Sequence, residues 1–177
     1  MALLALLSTG RLSAQALAPA ISKSFGPSTV FLNGSSTGTI TVTNPNAFPV
    51  SMVQFSDTMP AGIQLVTQLG GTCSTLATGG GMFSINPGTG TFSSTSNVLA
   101  GGQSCNIVFQ VTGTALGVHL NTTSLVTASQ TPSGGPASAT LTVVAATTDI
   151  PTMGPFGLAL MVFTLAGAGL LAIRRFS

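Results

Sequence analysis

Few side chains in this sequence are suited to acid–base or nucleophilic chemistry. Asp57 is the only Asp, Glu, Lys or Arg between Lys23 and Asp149, and His119 is the only histidine of the 177 residues. A serine hydrolase needs a base and an acid beside its nucleophile, so a triad would have to use Asp57 and His119 together. His119 has apolar neighbours and no acid nearby in sequence, which favours a strand histidine that faces solvent. We therefore predict that the protein is not an enzyme.

The two cysteines, Cys73 and Cys105, are the other candidates for chemistry. In an exported chain two cysteines most simply form a disulfide, and closing a loop of about 30 residues would stabilise the fold by roughly 3–4 kcal/mol. Two buried free thiols are the alternative. A metal site would need more ligands than one histidine and one aspartate can add, so neither a metal nor a cofactor is expected.

The distribution of charge excludes one class of partner. The formal net charge of +2 comes from four separated or terminal cations, Arg11, Lys23, Arg174 and Arg175. These residues do not form the basic patch that neutralises phosphates, so nucleic-acid binding is not expected. The hydrophobic fraction of 44% is high enough for a buried core, and the low charge therefore does not indicate disorder.

Apolar and polar residues alternate at period two through the middle of the chain. The clearest examples are 38–44, 104–113 and 138–144, and such alternation predicts half-buried strands. Weaker runs occur at 29–32, 50–55, 62–67, 81–85 and 120–127, with Pro, Gly and Asn clusters between them. Residues 17–147 are therefore predicted to form one all-β domain, an immunoglobulin-like β-sandwich of about seven to nine strands.

The stretch FSDTMPAGI, residues 55–63, contains the single mid-chain acid. The Asp57 carboxylate can accept hydrogen bonds from nearby backbone amides, Pro60 restricts φ, and Gly62 tolerates positive φ. The stretch is therefore predicted to be a turn at the exit of a strand, a role that requires no ligand.

Residues 1–16 are typical of a secretory signal peptide. A short apolar run at 2–7 is followed by Ala14-Gln15-Ala16, and this A-x-A pattern predicts cleavage after Ala16. The basic residue Arg11 follows the apolar run instead of preceding it, so either the signal is weak or the true start lies upstream. An N-terminal helix packed in the core is the alternative.

Residues 154–173 are 20 consecutive residues without a charge. As a helix that rises about 1.5 Å per residue, this run would span about 30 Å, the thickness of the hydrocarbon layer of a membrane. Arg174 and Arg175 begin the basic end, 174–177, which is expected to stay on the cytoplasmic side. The sequence therefore predicts one transmembrane helix and a precursor anchored in the inner membrane with its domain outside.

The residues before this helix resemble a protein-sorting signal. The motif begins within the linker 148–153 and continues into the apolar run. It consists of Ile150, Pro151, Thr152, Met153, Phe156 and Gly157. With the apolar run and the final Arg-Arg-Phe-Ser, they resemble the IPTL-CTERM signal, which has the pattern Ile-Pro-Thr-Leu-x-x-Trp-Gly. Met153 stands in place of Leu and Phe156 in place of Trp. The resemblance implies an exosortase-type membrane enzyme that removes the tail; a plain stop-transfer anchor is the alternative.

A second resemblance covers residues 21–144. It is based on SFGPSTV near residue 24, TVTNPNAFPV near 41, the FSDTMPAGI turn, and AGGQSCNIVFQV near 100. These motifs resemble a β-sandwich repeat domain of bacterial surface proteins, marked by a Thr/Ser-Asp-x-Leu-Pro-x-Gly turn in which Met59 here replaces Leu. The resemblance implies a fold and a surface location but no activity.

These features predict an exported bacterial cell-surface structural or interaction protein, located at the surface or outside the cell after processing. Its expected partners are the exosortase-type enzyme, the membrane, and a cell-envelope or extracellular-matrix component. The alternative is an adhesin that binds carbohydrate or another envelope component. Tyr and Trp, the usual sugar-stacking residues, are absent from the chain, which disfavours carbohydrate.

Overall fold

The computed structural model describes residues 15–73 and 82–146, where β-strands make up almost all of the regular structure. All of these residues belong to the compact unit Met1–Ala146. The ten strands in the described part are β1 (Ala20–Gly26), β2 (Thr29–Phe31), β3 (Ser35–Thr43), β4 (Val50–Thr58), β5 (Ile63–Gly70), β6 (Met82–Asn86), β7 (Thr91–Leu99), β8 (Ser104–Gly113), β9 (Gly117–Thr122) and β10 (Ser138–Val144).

The predicted membrane helix, the sorting motif, the basic end and most of the predicted signal peptide lie outside the described residues. Within the described ranges, no helix is long and apolar enough to cross a bilayer.

The strands are arranged in two packed layers. The first layer is an antiparallel sheet in the order β1-β3-β8-β5. The second layer combines two three-stranded sheets, β2-β10-β9 and β4-β7-β6. Isolated bridges from Gln54 to Thr127 and from Asp57 to Thr123 connect β4 to the segment that follows β9. These bridges make the two smaller sheets neighbours, so a β-sandwich results.

The core lies between the layers because the strands bury alternate residues. In β8 the buried positions recur at every second residue. The core includes Ile40, Val42, Ile107, Phe109 and Val111 from the first layer, and Val53, Phe55, Leu141 and Val143 from the second. Full burial of one large apolar side chain contributes roughly 1.5–3 kcal/mol, so this shared core stabilises the packing of the layers.

The prediction of an all-β sandwich is confirmed, but the number of strands is ten in the described part instead of seven to nine. Strand β1 was missed because Lys23 occupies an inward position between Ile21 and Phe25 and interrupts the apolar pattern. Strand β7 was missed because its sequence, TFSSTSNVL, is mostly polar and shows no clean alternation. Both strands depend on pairing with neighbours more than on their own pattern.

Gly38 in β3 leaves the space that the ring of Phe109 occupies. In the sheet register Gly38 pairs with Phe25 on one side and with Phe109 on the other. A Cβ atom at Gly38 would lie 2.3 Å from Cε2 and Cζ of Phe109. Because Phe109 is only 1% exposed, its ring has little room to move away.

Replacement of Gly38 by alanine should therefore destabilise the domain. We expect G38A to lower the free energy of unfolding by about 1–3 kcal/mol, because the added methyl group overpacks the core. Urea unfolding followed by circular dichroism measures this change. Gly135→Ala is the matched control, since a Cβ atom there meets nothing within 4 Å. Equal unfolding midpoints for the two variants would contradict the packing argument.

Candidate functional site

Three polar side chains meet in the core between the two layers. Lys23 lies on β1, Asp57 on β4 and Asn121 on β9. Each occupies an inward position of its strand: Lys23 alternates with exposed residues of β1, while Asp57 and Asn121 are 2% and 1% exposed. These three residues are called the core polar cluster below.

The contacts within the core polar cluster are mutual. Nζ of Lys23 contacts Oδ2 of Asp57 and donates to Oδ1 of Asn121. Nδ2 of Asn121 donates to the other carboxylate oxygen, Oδ1 of Asp57, at 2.7 Å, and to the carbonyl oxygen of Thr58 at 2.9 Å. The two acceptors of Nδ2 fix the orientation of the amide, so that its oxygen faces the lysine. The cluster thus satisfies its buried polar groups internally.

Aromatic rings surround the amine of Lys23. Nζ lies 5.6 Å from the centre of the Phe25 ring and 5.7 Å from that of Phe109. The lysine and aspartate side chains have no exposed surface; only the backbone of Lys23 reaches solvent. Burial lowers the pKa of Lys23, whereas its ion pair and hydrogen bond with Asp57 oppose this shift. The neutral amine is therefore more accessible here than in an exposed lysine.

The structure corrects the predicted role of Asp57. Pro60 and Gly62 do form a turn after β4, in which the Ile63 amide donates to the Pro60 carbonyl at 3.1 Å and Gly62 has a φ of 93°. The Asp57 carboxylate, however, points into the core and accepts from Lys23 and Asn121. The expected bonds to nearby backbone amides were wrong because Asp57 lies within the regular part of β4, at an inward position.

His119 is half-buried on β9 instead of fully facing solvent. Its Nε2 atom lies at hydrogen-bond distance, 2.8 Å, from the carbonyl oxygen of Ala115. A Cβ atom at Gly62 would lie 2.2 Å from the imidazole ring, so the absence of a side chain at Gly62 makes room for the histidine. In residues 15–73 and 82–146, no three His, Cys, Asp or Glu side chains come together as metal ligands.

Cys73 and Cys105 form the predicted disulfide, with their Cα atoms 4.7 Å apart. Cys73 follows the end of β5, and Cys105 lies near the start of β8, its partner in the first layer. Both cysteines are buried in the hydrophobic core. The bond therefore holds two adjacent strands of one sheet together at one end.

Two members of the core polar cluster, Lys23 and Asn121, were missed from the sequence. Lys23 contributes to the net charge, but its position between Ile21 and Phe25 also indicates an inward-facing lysine. Such a lysine needs a buried partner, and Asp57 is the only acid between Lys23 and Asp149. This combination of facts was available in the sequence. Nothing comparable distinguishes Asn121 from the many other asparagines.

The fold and the core polar cluster define the protein as an immunoglobulin-like β-sandwich with a charged pair buried between its layers. Residues 19–143 match the family described as Domain of unknown function (DUF7933), and the chain belongs to this family. The matched range is close to residues 21–144, for which a resemblance to a surface-protein domain was predicted. No curated protein matches the sequence significantly.

Solved structures with a similar fold include two pilins and an adhesin. The major pilin SpaD of Corynebacterium diphtheriae has a TM-score of 0.50 at 12% identity, covering 70% of this chain and 33% of the pilin. The major pilin subunit BcpA of Bacillus cereus has a TM-score of 0.50 at 11% identity, covering 72% and 40%. The collagen adhesin of Staphylococcus aureus has a TM-score of 0.51 at 10% identity, covering 72% and 50%. The matched region thus makes up a third to a half of each of these structures.

Removal of the disulfide should weaken the fold without abolishing it. We expect C73S/C105S to lower the free energy of unfolding by roughly 3–4 kcal/mol, because the unfolded chain gains the entropy of an open loop. Guanidinium unfolding with and without reductant tests this expectation. Reductant should shift the midpoint of the wild type and leave that of the double variant unchanged. A wild type that is indifferent to reductant would show that the bond does not contribute.

Proposed function

We propose that this protein is an exported structural or interaction module of the bacterial cell surface. The observation that carries the proposal is the buried disulfide within a charge-poor β-sandwich. Disulfides persist in oxidising compartments outside the cytoplasm, so the domain is suited to fold after export. We assign to the domain no enzymatic activity towards an external substrate.

The likeness to solved structures supports the surface location. SpaD and BcpA are major pilin subunits, and the Staphylococcus aureus protein is a collagen adhesin. In each of these proteins the similar region is part of a longer chain. A sandwich of this type serves in our proposal as one building block of a surface protein.

The sorting part of the proposal is based on residues 150–177. Ile150, Pro151, Thr152 and Met153 precede the uncharged run 154–173 and the basic end. An apolar run of this length inserts into a membrane, and the arginines beyond it stay in the cytoplasm. We infer that an exosortase-type enzyme recognises the motif and separates the outer domain from its membrane helix.

Adhesion is the second candidate function, favoured by the likeness to the collagen adhesin. Binding of the purified domain to immobilised collagen, to a glycan array and to isolated cell envelopes would distinguish adhesion from a purely structural role. Saturable binding to any of these would favour the adhesin.

The domain should fold without its predicted targeting segments. We expect residues 17–147 expressed alone, with export to an oxidising compartment, to be soluble and β-rich, because their strands bury their apolar faces against each other. Circular dichroism and a cooperative thermal transition test this expectation. A disordered spectrum would mean that a removed segment belongs to the core.

The sorting hypothesis is tested by Pro151→Ala in the native host. The substitution leaves the run 154–173 intact, so membrane insertion should be unchanged. If an enzyme recognises the motif, the variant should remain at full length in the membrane fraction while the wild type loses its tail. Mass spectrometry of both proteins gives the answer.

The matched control for this experiment is Thr148→Ala, which changes a residue two positions before the motif. This variant should be processed like the wild type, because the motif and the apolar run are both intact. Identical mature masses for wild type and P151A, each with Arg174 and Arg175 retained, would leave a simple membrane anchor and defeat the sorting hypothesis.

A further inference from the structure

The core polar cluster places a nucleophile, an acyl group and a proton carrier in direct contact. The nucleophile is the amine of Lys23, the acyl group is the side-chain amide of Asn121, and the carrier is the carboxylate of Asp57. We propose that Lys23 and Asn121 become joined by an intramolecular amide (isopeptide) bond, formed by the folded domain itself with Asp57 as the acid–base catalyst.

The arrangement of the Asp57 carboxylate supports this reaction. Its Oδ2 atom contacts the attacking nitrogen, Nζ of Lys23, and its Oδ1 atom lies 2.7 Å from the nitrogen that must leave, Nδ2 of Asn121. One carboxylate therefore faces both the group that loses protons and the group that gains them. General acid–base catalysis requires a carrier within hydrogen-bond reach of both atoms.

The surroundings of the amine also favour attack. A protonated lysine has no lone pair and cannot act as a nucleophile, and the complete burial of the Lys23 side chain disfavours the charged form by removing it from water. Contact between Nζ and Oδ1 of Asn121 holds the amine against the amide. Such fixed proximity replaces a bimolecular encounter and accounts for a large part of the rate of intramolecular reactions.

The reaction balances without any further reactant. Lys23 transfers a proton to Asp57, and the lone pair of neutral Nζ then forms a bond to Cγ of Asn121. The tetrahedral intermediate collapses when the bond from Cγ to Nδ2 breaks. Asp57 returns its proton to the departing nitrogen, which also receives a proton from Nζ. With these two protons the departing nitrogen leaves as ammonium, and the products are the Lys23–Asn121 amide, ammonium and the regenerated Asp57 carboxylate. No atom is oxidised or reduced.

The bond would join distant parts of the chain. Lys23 and Asn121 are separated by 98 positions in sequence and belong to opposite layers. The disulfide between Cys73 and Cys105 lies inside this interval. A force that pulls on the chain before Lys23 and after Asn121 would then be carried by the cross-link. The strands between these two residues would not be extended.

Mass spectrometry tests the proposal directly. The protein is expressed from the full chain, exported, purified and reduced, and peptide mapping identifies its two termini. Its measured mass is then compared with the mass calculated from the sequence between those termini. We expect the wild type to be lighter by one ammonia molecule. A peptic digest should contain a branched peptide that joins β1 to β9. Full mass, together with separate peptides containing Lys23 and Asn121, would overturn the proposal and leave a hydrogen-bonded ion pair.

Succinimide formation is another source of ammonia loss and needs its own control. Asn33 precedes Gly34, where the following backbone nitrogen can attack the side-chain amide. Asn33→Gly removes this source and suits the observed φ of 64° at that position. The N33G variant should keep the mass deficit and the branched peptide, whereas Lys23→Met should lose both. A deficit that disappears in N33G and persists in K23M would refute the Lys23–Asn121 bond.

The variant D57N tests the role of Asp57 while Lys23 and Asn121 are both kept. Asparagine has nearly the same size as aspartate but cannot accept and return a proton as a carboxylate does. We expect nearly complete loss of the branched peptide, in a protein that still forms the disulfide and retains its β spectrum. Full bond formation in D57N would exclude Asp57 as the catalyst.

If D57N does not fold, Asn121→Asp provides the second test. Attack by Lys23 on a carboxyl group at position 121 releases water in place of ammonia. The expected variant is therefore lighter than its own sequence by one water molecule, with the same branched connection. A variant that folds and shows no deficit would count against the predicted acyl group.

Discussion

Burial of the Lys23 amine between the two layers is the constraint on which the arrangement of this domain depends. An unpaired charge in the core would cost several kcal/mol, so the amine requires the carboxylate of Asp57 and the amide oxygen of Asn121 at close range. Strands β1, β4 and β9 must therefore converge at one point. Gly38 contributes because its missing side chain leaves room for Phe109, whose ring closes the site.

The disulfide and the core polar cluster connect different parts of the sandwich. The bond between Cys73 and Cys105 connects β5 and β8, which are neighbours in the first layer. The cluster connects β1 of that layer with β4 and β9 of the other. One connection therefore acts within a sheet and the other between the two layers.

Hydroxyl groups replace charges on much of the described surface. Several pairs link neighbouring segments at normal hydrogen-bond distances: Thr43 with Ser104, Thr122 with Ser138, and Ser51 with Ser129. Such hydroxyl pairs contribute modestly, and they do not depend on ionic strength as ion pairs do. They also leave Lys23 and Asp57 without competing charged partners, since the sequence between Lys23 and Asp149 contains no other charged side chain apart from Asp57.

The sequence by itself determined the all-β class, most of the strands and the disulfide, because alternation and cysteine count are local or compositional properties. The inward position of Lys23 was also visible in β1, where it shares one face of the strand with Ile21 and Phe25. Only the tertiary structure decided that Asn121 completes the cluster. The partners of a buried polar group are set by which strands pack together, and Lys23 and Asn121, separated by 98 positions, meet only when the two layers close.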